Sequence, residues 1–293
     1  MTTNILLQPV DDGLPMRPSG RWAKKKLSIL EHYIATSTVA MQNKPWRRRY
    51  YIDLQAGPGK NCVARSGKCP TKDPDIFLGS PLLALTTGAG FTDYYFVERD
   101  ETLADTLQKR CQSISEHRHI QILTGDCNQA VNQIAAVIRQ VDSPPFSKTN
   151  WNSLSLAFLD PEGLELDWTT VTQLASLKRT DIIINFSIGG LRRIADAAKN
   201  LPPGQAQADR FFGTPEWRSI PLNPDGSQPA YQWIDFYKSR LTTKYHYQWG
   251  TPISVRNSRE VELYRLLFAS KHKLGVQLWE EARRKAPPNR ALF

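Results

Sequence analysis

Four short apolar segments of the sequence each end in an acidic residue, and helical segments separate them. The segments are YYIDLQ, YYFVERD, HIQILTGDCN and SLAFLDPEG, and the acids at their ends are Asp53, Glu98, Asp126 and Asp160. Strands that alternate with helices of about 10 to 15 residues predict a parallel, doubly wound α/β sheet covered on both faces. Because such sheets bind ligands at the carboxyl ends of their strands, the four acids mark a predicted ligand site.

The remaining segments predict the domain organisation. Residues 1–20 are rich in Pro and Gly and predict an extended arm, and residues 21–293 predict a single α/β domain that begins with a helix. The stretch from Cys62 to Leu78 has no clear period and predicts a surface excursion. A polar, Pro-rich stretch after a fifth strand, DIIINFS, predicts a helical insertion over about residues 188–230. YHYQWGTPISV and EVELYRLLFAS predict an antiparallel strand pair, and HKLGVQLWEEARRK predicts a closing helix.

Composition indicates the partners and the compartment. The formal charge of +10 and the pI of about 9.5 favour a polyanion, for which nucleic acid is the leading candidate, although a merely basic surface is the alternative. No apolar run approaches the roughly 18 residues that cross a bilayer, and the N-terminus does not resemble a signal peptide. We therefore expect a cytoplasmic protein with no membrane contact. The four cysteines lack CxxC or Cys/His metal spacing and predict reduced thiols.

The segment AGPGK, directly after the first strand, predicts a tight loop that approaches a cofactor. Glycine at Gly57 and Gly59 lets the backbone turn sharply and come close to a ligand. Glu98 at the end of the second strand can accept hydrogen bonds from two ribose hydroxyl groups, and Asp126 can accept one from an adenine amino group. Asp53 can hold the amino end of an amino-acid-like cofactor. These features favour S-adenosyl-L-methionine (SAM) as the cofactor.

Two alternatives to a SAM site stay open from the residues alone. An NAD-dependent oxidoreductase also uses a glycine loop followed by an acid, but AGPGKN lacks the third glycine of GxGxxG. In addition, Glu98 follows the loop by about 40 residues, instead of the roughly 20 that such enzymes use. The second alternative is structural, in that the acids only cap helices.

The fourth strand ends in Asp160, Pro161, Glu162 and Gly163, where amino-group methyltransferases of nucleic acids carry DPPY. In DPPY the Asp side chain and a prolyl carbonyl accept hydrogen bonds from the target amine, and the Tyr stacks on an extruded base. We therefore predict Asp160, Pro161 and Glu162 as catalytic residues. Because Glu162 and Gly163 replace the second proline and the aromatic residue, stacking has to come from elsewhere or the target is not a base.

Several residues are candidates to contact the substrate. Trp168, with Phe158 and Phe186, can supply the missing aromatic ring, although such residues usually belong to the core. Asn185 and Ser187 end the fifth strand and can line the acceptor pocket or cap the loop. Arg192 and Arg193 can bind phosphate groups or form a solvated face.

Cys127 adjoins Asp126 and is expected at the cofactor site. A nucleophilic role for this thiol is disfavoured, because no histidine or basic residue adjoins it in sequence to lower its pKa.

The segments YIDLQAGPGK, GSPLLAL, FVERD, GDCN, FLDPEGL and LLFASKHKLGVQLW together resemble the three-Cys-motif partner protein family, TcmP. The resemblance extends from about Trp22 to Trp279. It implies a methyltransferase-like fold and a link to a radical-SAM-like iron–sulfur partner that carries the three-Cys motif, but no established reaction.

A weaker similarity is to the 23S ribosomal RNA adenine-N6 methyltransferases, which share a glycine loop, a GSPL segment and a DPPY-type motif. It implies that Asp160 orients the amine and that Lys24 lies near the cofactor. The residues that would contact SAM are Asp53, Gly57, Ser80, Glu98 and Asp126.

The favoured interpretation is a SAM-dependent methyltransferase that acts on an amine of RNA or DNA. Its rival is a non-catalytic or partner-dependent methyltransferase-like subunit. The sequence leaves the modified atom and the oligomeric state open.

Overall fold

The computed structural model of the protein describes residues 4–285 apart from 115–117, 144–150, 199, 224–229 and 258. Its strands are β1 (Arg17–Ser19), β2 (Trp46–Asp53), β3 (Lys60–Val63), β4 (Ile76–Leu78), β5 (Asp93–Glu98), β6 (His119–Thr124), β7 (Trp151–Leu159), β8 (Thr180–Phe186), β9 (Gln248–Trp249), β10 (Ile253–Arg256) and β11 (Glu262–Ser270). Its α-helices are α1 (Trp22–Gln42), α2 (Ser80–Thr86), α3 (Glu101–Cys111), α4 (Cys127–Val141), α5 (Trp168–Ala175), α6 (Ile188–Ala198), α7 (Gln207–Phe212), α8 (Ala230–Tyr245) and α9 (Lys273–Lys285).

A large mixed sheet forms the centre of the molecule. Its strand order is β10-β11-β8-β7-β2-β5-β6, and β9 pairs with one end of β11. The five strands from β6 to β8 run parallel, whereas β11 is antiparallel to both β8 and β10. The predicted doubly wound α/β fold, with its antiparallel strand pair near the C-terminus, is confirmed.

Alternate residues of the central strands bury opposite faces of the sheet. Tyr51 and Phe158 face the layer that contains α1, α2, α3 and α9, whereas Ile52 and Leu159 face α4, α5 and α8. Because helices cover both faces, the strand ends are where a ligand can reach the sheet. Among the described helices, none combines the length and apolarity needed to cross a membrane.

The predicted surface excursion between Cys62 and Leu78 is in part ordered structure, which corrects the sequence-based expectation. Strands β3 and β4 pair antiparallel there, and β1 of the N-terminal arm adds to β3 in parallel. Each of these strands has only three or four residues, too few for a hydrophobic period to be visible. The small sheet lies over the carboxyl edge of the large one, because Gly59, which follows β2, hydrogen-bonds to Gly79 at the start of α2.

A buried ionic cluster anchors the N-terminal arm. Asp12 forms ion pairs with Lys60 at 2.7 Å and with Arg110 at 2.8 Å, and all three side chains are fully buried. Lys60 also donates to the carbonyl oxygens of Ile5 and Val10. The arm is therefore tied both to β3 and to α3, and its position above the sheet is defined by charge pairing.

The cysteines do not all exist as the reduced thiols that the sequence predicts. Cys62 and Cys69 form a disulfide, while Cys111 and Cys127 are free. The bonded pair brackets a short turn in which Arg65 and Lys68 form an isolated bridge. This closure arises from the turn after β3, which the spacing of the cysteines alone did not reveal.

The helical insertion predicted after the fifth strand is confirmed. It contains α6, α7 and a 3₁₀ helix over Pro215–Ser219, and α8 then leads back to the sheet. Phe211 and Phe212 of α7 pack against Tyr237 of α8 and Phe186 of β8. The insertion thus covers one face of the sheet beside the carboxyl end of β8.

Candidate active site

Two adjoining cavities open at the carboxyl ends of the parallel strands. The β5–β6 cavity, of about 540 Å³, includes the predicted residues Glu98, Asp126 and Cys127. The β7–β8 cavity, of about 320 Å³, includes a larger predicted set: Gly57, Gly59, Ser80, Asp160, Pro161, Glu162, Asn185 and Ser187. Arg17, Gln55 and Glu162 line both cavities, so the two cavities form a single cleft.

The glycine loop lines the β7–β8 cavity and is hydrogen-bonded to Glu98 of the β5–β6 cavity. Gly57 has a φ of 64° and Gly59 a φ of 90°, in the left-handed region that favours glycine. A β-carbon on Gly59 would also lie 3.0 Å from a Leu107 methyl carbon, so a side chain there would crowd its neighbours. The amide nitrogen of Gly57 donates to Glu98 Oε2 at 2.8 Å, which joins the loop to the end of β5.

Glu98 holds its carboxylate at the mouth of the β5–β6 cavity. Its second oxygen, Oε1, accepts from the amide of Asp100 at 2.9 Å. A carboxylate offers about four lone-pair sites, so each oxygen still has capacity for one ligand donor. The two backbone bonds therefore fix the orientation of Glu98 without using up its ability to accept.

Asp126 performs the capping role that the sequence leaves open. Its Oδ1 accepts from the amide of Asn128 at 2.7 Å, and the residue is the N-cap of α4. Capping engages Oδ1, while the exposed carboxylate also lines the β5–β6 cavity. Capping and ligand contact are thus compatible at this position.

Asp53 lies fully buried at the end of β2, beneath the glycine loop. Its Oδ2 has no hydrogen-bond partner among the described groups. Burial raises the pKa of this carboxyl group to about 7, although hydrogen bonding from Ser80 lowers it; the negative charge of Asp160 raises it further. Asp53 itself lines neither cavity, but it adjoins Leu54 and Gln55, which do, and a buried acid with an unpartnered oxygen favours a cation nearby.

The centre of the β7–β8 cavity is an ion pair that the sequence did not predict. Lys26 Nζ contacts both oxygens of Asp160, at 2.6 and 2.5 Å, and the two side chains are only 8% and 15% exposed. Asn185 Nδ2 also donates to Asp160 Oδ1 at 2.7 Å. Asp160 is therefore held between α1 and β8, and it is turned into the cavity.

Lys24, which the resemblance implies near the cofactor, lies elsewhere. It forms an ion pair with Asp75 on the surface and does not line either cavity. Successive residues of an α-helix are rotated by about 100°, so Lys24 and Lys26 point about 200° apart. Lys26 therefore occupies the position expected of Lys24, and the run of three lysines contains the signal without revealing which one points inward.

The aromatic residues proposed for stacking lie in the core, which is a correction. Phe158 and Phe186 are fully buried, and Trp168 packs against Tyr237 with the guanidinium of Arg240 over its ring at 4.4 Å. The rings that do line the β7–β8 cavity are those of Trp22 and Tyr264, which contact each other edge to face at 5.3 Å. Tyr264 is more than one hundred positions from the DPEG segment, so sequence spacing offers no signal for it.

Two further residues tie the cleft together, and the sequence analysis missed both. Gln55 accepts from the Asp160 amide at 3.0 Å and donates to Cys127 Sγ at 3.3 Å, so it joins β7 to α4. Arg17, from the arm, forms an ion pair with Glu162 across the mouth. Glu162 is 73% exposed and therefore belongs to the rim of the cleft.

Three other predicted residues are now located. Arg192 and Arg193 are exposed on α6 and lie outside both cavities, although α6 begins directly after the cavity residue Ser187. Cys127 lines the β5–β6 cavity, but burial raises the pKa of its thiol to about 11. A thiol with so high a pKa is mostly protonated at neutral pH and is a poor nucleophile.

The described residues of this cleft do not form a metal-binding cluster. Within the described ranges of the chain, no group of three or more His, Cys, Asp or Glu side chains is placed to hold a metal ion.

The order and direction of the strands assign the fold. In the order β6-β5-β2-β7-β8-β11-β10, the first five strands are parallel. The sixth, β11, is antiparallel to both of its neighbours, so the last strand, β10, runs in the same direction as the first five. The fold is that of the class I methyltransferases.

Comparison with known proteins adds solved structures but no family. No protein-family model matches the sequence, and no curated protein matches it significantly. Trm1 from Pyrococcus horikoshii, solved with S-adenosyl-L-methionine, is 9% identical with a TM-score of 0.48, and the match covers 94% of this chain and 61% of Trm1. An O-methyltransferase from Bacillus cereus in complex with SAH is 13% identical with a TM-score of 0.45, over 88% of this chain and 84% of that one. A DUF519 protein from Legionella pneumophila is 10% identical with a TM-score of 0.45, over 88% and 91%.

Proposed function

We propose that the chain is a SAM-dependent methyltransferase that transfers a methyl group to an amine nitrogen of a nucleic acid, RNA or DNA. One observation carries the proposal. A single cleft contains a glycine loop and two acids that suit an adenosine. The same cleft contains a carboxylate, in the DPPY position, that suits an amine. SAM, when bound, supplies a methyl group that is already activated on a sulfonium.

Residues in and beside the β5–β6 cavity fit the cofactor chemically. Glu98 and Asp126 keep acceptor capacity for ribose hydroxyl groups and an adenine amino group. The unpartnered Oδ2 of buried Asp53 suits the ammonium group of a bound amino acid. Positive φ at Gly57 and the space around it allow the backbone to approach that ligand closely.

The β7–β8 cavity supports transfer to an amine by positioning. Asp160 can accept a hydrogen bond from the target amine and so direct its lone pair toward the methyl group. Lys26 and Asn185 hold the carboxylate in place, and the amine has to share it with them. Trp22 and Tyr264 supply aromatic surface for the group that carries the amine.

A nucleic acid is the substrate class that the charge favours. The chain has a formal charge of +10, and Arg17 and Arg99 line the cleft itself. Arg192 and Arg193 lie exposed on α6, which starts at the edge of the β7–β8 cavity. Such basic groups around a cleft bind phosphate groups of a polynucleotide and make the binding sensitive to salt.

Calorimetric titration of SAM and S-adenosylhomocysteine tests the cofactor assignment. We expect micromolar binding by the wild-type protein and a loss of at least about tenfold in Glu98→Ala, because two charge-assisted hydrogen bonds disappear. Glu101→Gln is the matched control, since Glu101 is an exposed acid at the start of α3 that lines neither cavity. Absence of binding by the folded wild-type protein, or equal losses in the two variants, would falsify the assignment.

A second candidate is a non-catalytic or partner-dependent methyltransferase-like subunit. The observation that favours it is the engagement of Asp160, whose carboxylate already accepts from Lys26 and Asn185. The resemblance to the TcmP family supports a radical-SAM-like iron–sulfur protein as the partner. Methyl transfer from labelled SAM to total RNA or DNA by the isolated chain would favour the enzyme, and transfer that requires the partner would favour the subunit.

A further inference from the structure

A third cavity lies at the opposite edge of the sheet from the cleft. This amino-edge cavity has a volume of about 590 Å³ and shares no lining residue with the two cavities described above. It lies between the last turns of α1 and the first turns of α9, below the start of β8 and the end of β11. Its size is within the range of small-molecule sites.

Five basic side chains line this cavity: Lys44, Lys178, Arg179, Lys271 and His272. Lys271 and Lys178 are held by backbone carbonyl oxygens of neighbouring loops. Lys44 and Arg179 are exposed, and no acid of the described chain forms an ion pair with either. Their charges therefore remain available to an anion at the mouth.

The acid at this site, Asp181, does not cancel those charges at the mouth. It is partly buried, accepts from Tyr33 at 2.8 Å, and is also hydrogen-bonded by Ser270. Burial raises the pKa of Asp181, so its charged form is disfavoured. The net potential of the cavity is accordingly positive.

The floor of the cavity contains a polar group without a partner. Thr180 is 1% exposed and lines the cavity, and no described group hydrogen-bonds to its Oγ1. A buried hydroxyl group that is left unsatisfied destabilises the folded state. A polar atom of a ligand in the cavity would satisfy it.

The walls are apolar and partly aromatic. Met41, Leu154 and Leu278 line the cavity together with Trp46, and the guanidinium of Arg179 lies over the Trp46 ring at 5.6 Å. Helix α9, of 13 residues, begins at the mouth, where its N-terminal dipole favours negative charge. A cavity with apolar walls, a cationic mouth and an unsatisfied hydroxyl group is complementary to an amphipathic anion.

We propose that the amino-edge cavity binds a small phosphorylated aromatic ligand of mononucleotide size. Its aromatic body packs against Trp46 and Met41, its phosphate contacts Lys44 and Arg179, and a polar atom of the body bonds Thr180. The site is independent of the cleft and of the reaction proposed for it.

Titration calorimetry with AMP tests the site, with adenosine, inorganic phosphate and laurate as comparison ligands. Each titration is performed on the wild-type protein and on Glu98→Ala, so that AMP in the cleft is distinguished from AMP in this cavity. We expect AMP to bind both proteins at least about tenfold more tightly than adenosine or phosphate, because both parts of the ligand contribute.

Three variants locate that binding. Replacing Lys44 and Arg179 together by Ala should weaken AMP by about tenfold or more, since charge-assisted bonds are lost. Thr180→Val, which preserves shape and removes the hydroxyl group, should weaken it about three- to fivefold. The matched control, Lys109→Ala with Lys244→Ala, removes two exposed charges that line none of the three cavities and should change it less than about twofold.

The proposal is overturned if AMP fails to bind, if its binding is lost in Glu98→Ala, or if the control variant weakens it as much as the Lys44 and Arg179 variant. Tighter binding of laurate than of AMP would replace the aromatic phosphate by an acyl anion and would also overturn it.

Discussion

The two halves of the cleft are built from different kinds of sequence information. The β5–β6 cavity takes its acids from the ends of neighbouring strands, and the glycine loop beside it comes from one short segment, AGPGK. The β7–β8 cavity takes Lys26, Asp160, Asn185 and Tyr264 from four segments far apart in the chain. The first half follows from topology, whereas the second depends on how α1 and β11 pack against the sheet.

This difference separates what each half contributes. In the β5–β6 cavity, backbone amides of adjacent loops orient the acids, as the bonds to Glu98 and Asp126 show. In the β7–β8 cavity, side chains from distant elements orient one another, as Lys26 and Asn185 do for Asp160. We therefore expect substitutions in one half to leave the function of the other largely intact.

The largest expected effect comes from Asp160→Asn. Asn keeps the size of Asp but replaces one acceptor oxygen with a donor, so the amine is misoriented. We expect methyl transfer to nucleic acid to fall about a hundredfold or more while SAM affinity changes less than about threefold. Labelled methyl transfer and calorimetry measure the two quantities.

Asp75→Asn is the control for this experiment, because Asp75 is an exposed acid outside the cleft. Retention of more than a third of the wild-type turnover by Asp160→Asn would remove Asp160 from the reaction and favour the subunit interpretation.

The next effect distinguishes Lys26 from Lys24 by stability. Lys26→Met leaves Asp160, which is 15% exposed, without its cation, and we expect the free energy of unfolding to fall by about 2 kcal/mol. Lys24→Met breaks only a surface pair with Asp75 and should cost less than about 0.5 kcal/mol. Urea unfolding measures both changes.

SAM affinity of the same two variants sharpens the comparison of the two halves. Changes below about threefold in Lys26→Met are expected if the halves are separable. A tenfold loss there would instead assign Lys26 to the cofactor and contradict the division.

The sequence predicted the parallel sheet and the strand-end acids because both depend on local patterns. The alternation of apolar runs with helices does not by itself give the strand order. It does predict parallel strands, whose carboxyl ends lie at one edge of the sheet, and Asp53, Glu98, Asp126 and Asp160 all lie at that edge. What the sequence missed has a common physical cause. The inward direction of Lys26, the core position of Trp168, and the approach of Tyr264 all depend on helix rotation or long-range packing, which a one-dimensional pattern does not contain.

The smallest expected effect concerns the pH dependence of cofactor binding through Asp53. Burial raises the pKa of Asp53 to about 7, so the free protein is mostly protonated there at pH 6 and mostly ionised at pH 8. An ammonium group in the cleft favours the ionised form, so SAM affinity should rise by about tenfold between pH 6 and pH 8. Calorimetry at several pH values measures this rise.

Asp53→Asn separates this effect from ionisation of the ligand itself. The variant should bind SAM with a much flatter pH profile, because the buried group no longer titrates.

The pH dependence of the stability of the free protein provides an independent check of the direction of the Asp53 pKa shift. The folded-state pKa of Asp53 is above its ordinary value of 3.8, so its contribution to stability is fully present below that value and is lost as the pH rises through about 7. Raising the pH from 5 to 8 should therefore destabilise the wild-type protein more than Asp53→Asn; parallel stability and binding profiles in the two proteins would show that Asp53 does not titrate in this range.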